Sequence, residues 1–93
     1  MAKGSEALLP GDDLVRQGLE DLSRGEETAA ALLVSIGAAR LRRAGLPVPR
    51  TLSEAEHRLY LLLERAHGDD AHSRYNALIR RLVSFERALE CGN

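Results

Sequence analysis

A short stretch in the second half of the chain holds its densest group of side chains able to take part in chemistry. The segment from His67 to His72 reads HGDDAH and so brings two imidazoles and two carboxylates together. Zn²⁺ accepts both ligand types, but a closed site needs a fourth strong ligand that this spacing does not supply. A histidine near a helix end, a glycine and two acids are also typical of a tight turn between helices. We therefore expect a turn here and no metal.

A carboxylate three residues before a histidine occurs twice, as Glu54 with His57 and as Asp69 with His72. Two such pairs are half of the ligand set of a di-iron helical bundle, which also needs an inward-facing Glu on each of two further helices. The apolar stretch from Ala29 to Ala39 contains no Glu. We therefore expect ordinary exposed histidines.

Nucleophilic catalysis has no convincing candidate in the sequence. Ser35 lies inside the apolar stretch, where we expect its hydroxyl to hydrogen-bond to its own backbone. Cys91 has no base nearby in sequence to activate its thiol. The glycines are scattered rather than gathered in a phosphate-binding loop. The sequence thus predicts a protein that is not an enzyme and that carries no cofactor.

Arginines form the remaining group with recognisable chemistry. Residues 40 to 50 contain four of them and no acid, namely Arg40, Arg42, Arg43 and Arg50. Guanidinium groups bind phosphates, so these four side chains are candidate contacts for a polyanion such as RNA. The competing interpretation is a solvated helix face whose arginines pair with acids, and we favour it. A nucleic-acid-associated helical domain is therefore the alternative function.

The hydrophobic periodicity predicts two helices in the first half of the chain. The first begins near Asp12, whose side chain is expected to cap it. The second runs from about Glu26 to Ala44, and its apolar middle predicts the most buried element of the fold. Replacing Leu33 or Ile36 there by Ala should cost about 2 to 5 kcal/mol.

The second half of the chain repeats this plan. A third helix has two overlapping capping-box signals, Thr51 with Glu54 and Ser53 with Glu56, of which one is expected to be used. A fourth helix follows Gly68 and continues to about residue 90. The predicted fold is therefore all-α, an up-and-down bundle of about four helices made of two αα-hairpins.

Composition supports one small globular domain. Hydrophobic residues make up 44% of the 93 residues and charged residues 29%, which is typical of a chain that folds. We expect a flexible segment at residues 1 to 10 and a single helical domain at residues 11 to 93. One cysteine and the lack of a leader sequence favour a cytoplasmic protein, and the longest apolar stretch is too short to cross a membrane.

The third helix has apolar side chains beyond those its core stripe requires. The stripe centres on Leu59, so at about 100° per residue Leu61 points almost opposite and Tyr60 lies to one side. His57 and Glu64 flank Leu61, which gives an apolar centre with a polar edge, as interfaces often have. We therefore predict a homodimer in which third helix meets third helix. The expected function is a non-enzymatic protein-interaction module, an adaptor or regulatory subunit that also binds a partner protein.

One acid falls on the apolar face of the fourth helix. Glu86 lies about 20° from Tyr75 on a helical wheel, so its carboxylate is expected to be buried. A buried charge without a partner is costly. The sequence therefore predicts an ion pair between Glu86 and an arginine of the second helix, with Arg40 as the first choice.

Overall fold

A computed structural model of the protein describes residues 9 to 92, and every regular element in that range is helical. The elements are α1 (Asp12–Ser23), α2 (Ala29–Arg43), α3 (Ala55–His67), a 3-10 turn (Gly68–Asp70) and α4 (Ala71–Gly92). The predicted all-α class is confirmed. The number of separate helices is three rather than four, because no non-helical residue separates α3, the 3-10 turn and α4.

The 3-10 turn bends the third helical run sharply. In a straight helix, Tyr60 and Tyr75 would lie about 22 Å apart along the axis. Their ring centroids are 5.7 Å apart, so α4 folds back against α3. Gly68 adopts a positive φ of 58° at the bend, which favours glycine. The prediction of a turn at His67 to His72 is confirmed, although the turn is itself helical.

α1 and α2 approach each other closely at a glycine. A Cβ atom placed on Gly18 would collide with the backbone carbonyl of Ala30 and with a methyl group of Val34. Only glycine fits at this position without movement of the α2 backbone. The rest of the contact is apolar, since Val15 and Leu22 of α1 are buried.

α2 is the central element of the core, as its sequence predicts. Ala31, Leu32, Leu33, Val34 and Leu41 are all 0% exposed. Ile36 is only partly buried, although it still contacts the core. We still expect a large loss of stability from Leu33→Ala. Ile36→Ala should cost less, because Ile36 is less buried.

The starts of α1 and α2 differ from those predicted. Gly11, with a φ of 79°, is the N-cap of α1, while the carboxylate of Asp12 pairs with Arg16 at 2.7 Å. α2 begins three residues later than expected, because Thr28 caps it. The Thr28 hydroxyl accepts a hydrogen bond from the backbone nitrogen of Ala31 at 3.1 Å.

Neither capping box is used at the start of α3. Glu54 occupies the N-cap position with a φ of 51°, and its side chain makes no capping hydrogen bond. The preceding loop is instead tied to α2. The Ser35 hydroxyl donates to the carbonyl of Ala31 at 2.9 Å, as predicted, and also accepts from the backbone nitrogen of Leu52 at 2.9 Å.

Most of the predicted flexible segment, residues 1 to 8, lies outside the described residues. Leu9 packs against the core, and its carbonyl accepts a hydrogen bond from the backbone nitrogen of Asp12 at 3.0 Å. Among the helices described, none combines the length and the apolar character needed to span a bilayer.

Candidate functional site

The first candidate site is a half-open groove of about 400 Å³ between α2 and α4, which we call the α2–α4 groove. Its apolar lining consists of Ile36, Ala39, Tyr75, Ile79, Leu82 and Val83. Its polar lining consists of Arg40, Arg43, Glu56, Asn76 and Glu86. Both helices therefore leave part of an apolar side uncovered, and charged groups border it.

The carboxylate of Glu86 is buried at the contact between the two helices. The residue is 4% exposed, and its Oε1 lies 3.4 Å from Nη1 of Arg40. Arg40 also donates to both carboxylate oxygens of Glu90, at 2.8 and 2.9 Å. The predicted Glu86–Arg40 pair is confirmed, with the addition that Glu90 holds the better-aligned hydrogen bonds of the guanidinium.

Glu86 fits into the groove because α2 has a glycine opposite it. A Cβ placed on Gly37 would lie 2.6 Å from Oε2 of Glu86, so the missing side chain makes room for the carboxylate. Burial raises the pKa of Glu86 above its ordinary range, against the attraction of Arg40, and the charge of Glu90 adds to the rise. Hydrogen bonds from Arg40 lower the pKa of Glu90.

The two ends of the groove carry opposite charges. Near the start of α4, Glu56 adds to the effect of burial in raising the pKa of Tyr75. Near the end of α2, the charge of Arg43 helps to lower the pKa of Glu90. Both Glu56 and Arg43 are exposed and form no ion pair with any described residue. One charge of each sign therefore borders the groove without an ion-pair partner among the described residues, Glu56 towards one end and Arg43 towards the other.

The second candidate is the outer face of α3, where the sequence predicts an interface. His57, Leu61 and Glu64 are exposed there, and Leu61 is 39% exposed, more than any other large hydrophobic residue described. Tyr60 is half-buried instead, since its ring packs against those of Tyr75 and His72. This face thus presents a single large apolar side chain.

The four arginines proposed as polyanion contacts do not act together. Arg40 is occupied by Glu86 and Glu90. Arg42 donates two hydrogen bonds to the carbonyl of Val48, at 2.9 and 2.6 Å, and so holds the loop after α2. Arg43 and Arg50 are exposed and without a described partner. Two of the four arginines, Arg40 and Arg42, therefore already bind groups within the protein.

The chain matches no protein-family model, no curated protein and no solved structure. Its function has therefore to be inferred from the surfaces that the fold creates.

Metal and catalytic chemistry gain no support from the geometry. Within residues 9 to 92, no three His, Cys, Asp or Glu side chains come together as a metal would require. His72 hydrogen-bonds with the amide of Asn76 at 3.2 Å, and Cys91 is an exposed free thiol.

Sequence reasoning missed the α2–α4 groove. Ile79 and Val83 line the groove and are half-buried, and the sequence pattern alone does not distinguish them from core residues of the same helix. Gly37 was the available signal, because a glycine inside a helix often marks a close approach of another element. The sequence does not show that α4 is the element that approaches Gly37. This becomes visible only when α2 and α4 are packed side by side.

Proposed function

We propose that this protein is a non-enzymatic protein-interaction module that forms a homodimer through the α2–α4 groove. The observation that supports this most is the uncovered apolar lining contributed by two helices, with half-buried Ile36, Ile79 and Val83. Apolar grooves between helices receive an amphipathic helix of a partner. The outer face of α3, with Leu61 alone, offers less apolar area, so we favour the groove over that face.

A second copy of the chain is the occupant that the charges favour. In a two-fold dimer each surface meets its own copy in the reverse direction. Glu56 would then face Arg43 of the partner, and neither side chain forms an ion pair within residues 9 to 92. Such complementarity fixes orientation and suppresses wrong pairings.

The proposed assembly extends the predicted architecture. We propose that α1 with α2, and α3 with α4, act as two αα-hairpins of an up-and-down bundle, and that dimerisation covers the open side between α2 and α4. We also propose a cytoplasmic location, where the exposed thiol of Cys91 would stay reduced.

We favour a protein partner over a nucleic acid for the adaptor role. Arg40 and Arg42, two of the four arginines considered for phosphate contacts, already bind groups within the chain. An arginine bound to a carboxylate has to give up that partner before it binds a phosphate. A protein partner that binds at the apolar groove does not require an arginine to give up its present partner.

Sedimentation equilibrium at tens of micromolar tests this function. We expect twice the chain mass of 10.2 kDa. Ile79→Ser in the groove should raise the dissociation constant about tenfold or more, while Leu61→Ser, its matched control on α3, leaves it unchanged. A mass near that of one chain would rule out the dimer. A dimer weakened by Leu61→Ser and not by Ile79→Ser would move the interface to α3.

A further inference from the structure

The side of α4 away from the α2–α4 groove carries a second surface. We call it the basic strip and define it by His67, Arg74, Arg80 and Arg81. At about 100° per residue, Arg81 lies about 200° around the helix from Ile79 of the groove. Two shallow recesses of about 360 and 520 Å³ meet along this strip and share Ala77 and Arg81.

Positive charge on the basic strip is largely uncompensated. Arg74, Arg80 and His67 are exposed and form no ion pair with any residue from 9 to 92. Arg81 meets Asp13 at 3.3 Å, but the two side chains are 50% and 83% exposed, so this pair is weak. Guanidinium groups that are exposed and lack a strong ion pair can bind an external carboxylate through two parallel hydrogen bonds.

The basic strip has an apolar floor. Leu63, Leu78 and Ala29 line the recess beneath Arg74 and Arg81. Between the two arginines lies Ala77, an exposed residue whose small side chain lets another backbone come close. A ligand that fits must therefore offer an apolar group between two anionic groups.

We propose that the basic strip binds an extended acidic segment of a partner protein, with two carboxylates four residues apart and an apolar residue midway between them. Arg74 and Arg81 are seven residues apart, or about 10 Å along α4. Four residues of an extended chain span about 13 Å, a distance that two flexible arginine side chains can bridge, and side chains at alternate positions lie on the same face. The carboxylates bind the two arginines, and the apolar side chain rests on Leu63 and Leu78.

The composition of the strip favours such a peptide over a single-stranded nucleic acid. Proteins that bind single strands stack the bases on aromatic side chains. No aromatic residue lines either recess. Because the strip lies away from the α2–α4 groove, a dimer and a monomer can both present it.

Fluorescence anisotropy with the full chain and three labelled probes tests the proposal. The probes are a peptide containing Glu-Ala-Leu-Ala-Glu, the same peptide with both Glu replaced by Gln, and an oligouridylate of equal charge. We expect saturable binding of the acidic peptide, at least about tenfold weaker binding of the Gln peptide, and weaker binding of the oligouridylate. No binding of the acidic peptide, or tighter binding of the oligouridylate, overturns the proposal.

Matched variants locate the site. Arg74→Gln should weaken binding of the acidic peptide about tenfold, and Arg65→Gln, an exposed unpaired arginine on α3, should leave it unchanged. Asp13→Asn should strengthen binding, because it releases Arg81. Both arginines are exposed, so neither change threatens the fold. Equal losses in the two arginine variants would indicate attraction to the overall charge and contradict a defined site.

Discussion

Gly37 of α2 lies directly beneath the carboxylate of Glu86 of α4. A Cβ atom on this glycine would be 2.6 Å from Oε2 of Glu86 and 3.0 Å from a methyl carbon of Leu82. Real Cβ atoms do not sit that close to a carboxylate oxygen, so any side chain at residue 37 would force the carboxylate of Glu86 to move. The same contact buries Glu86 at the floor of the α2–α4 groove.

Gly37→Ala should therefore destabilise the protein although alanine is the better helix former. The helical preference for alanine is worth about 1 kcal/mol, and overpacking typically costs about 1 to 3 kcal/mol. We expect a net loss in the free energy of unfolding, measured by urea denaturation. Repeating the substitution in a Glu86→Ala background should reduce the loss. An equal loss in both backgrounds would show that the carboxylate is not the obstacle.

Glu86 should also give the stability a recognisable dependence on pH. Its pKa is raised in the fold by burial, so the folded protein binds this proton more tightly than the unfolded chain does. Ionisation of Glu86 therefore lowers stability, and the loss develops as the pH rises from the ordinary pKa of 4.5 through the higher value of the folded state.

Comparison with Glu86→Gln isolates this effect from those of other carboxyls. Asp21 has a pKa lowered by Thr28, Gln17 and Arg24, none of them near residue 86, so its contribution is lost on acidification equally in both proteins. We expect the free energy of unfolding of the variant to rise relative to that of the wild type as the pH is raised from 4.5 towards neutrality. A difference that stays constant over this range, or that changes in the opposite direction, would contradict the raised pKa.

The pair formed by Glu86 and Arg40 shows what the sequence can predict. Helical periodicity places Glu86 on the apolar side of its helix, and the cost of a buried charge demands a partner on the neighbouring element. Arg40 was the first choice on these grounds, and the structure agrees. The sequence does not identify Glu90 as the second partner of Arg40. That contact follows from the register in which α2 and α4 pack, which only the structure shows.

Helix starts show where sequence reasoning fails. The sequence predicts that α2 starts near Glu26, since acids suit the first turn of a helix, whereas the capping residue is Thr28. Its hydroxyl caps α2 and also donates to Oδ2 of the buried Asp21 at 2.6 Å, a contact between residues seven positions apart. At the start of α3, Ser35 holds the backbone of Leu52, and two well-formed capping boxes go unused. Tertiary contacts decide both starts.

Thr28 should therefore be more sensitive than an ordinary capping residue. Thr28→Val keeps the shape but removes the hydroxyl, and with it the cap of α2 and a hydrogen bond to Asp21, whose partners also include Gln17 and Arg24. We expect a loss of about 1 to 2 kcal/mol in the free energy of unfolding. Thr28→Ser keeps the hydroxyl and should lose little. Equal stability of the Val and Ser variants would mean that the hydroxyl contributes nothing.

The proposed dimer depends on Arg43 and Glu56, two charges that form no ion pair within residues 9 to 92. Arg43 and Glu56 are exposed, so reversing either charge should leave the monomer folded, as circular dichroism can check. Arg43→Glu alone, or Glu56→Arg alone, would place like charges across the two-fold interface. Arg43→Glu with Glu56→Arg in the same chain would restore opposite charges at both contacts.

The dissociation constants of these four proteins, measured by sedimentation equilibrium at low salt, test the central claim most directly. Each single reversal should weaken the dimer about tenfold or more, and the double reversal should bring the constant back to within about threefold of the wild type. Single reversals without effect, or a double variant weaker than either single one, would contradict a homodimer formed through the α2–α4 groove.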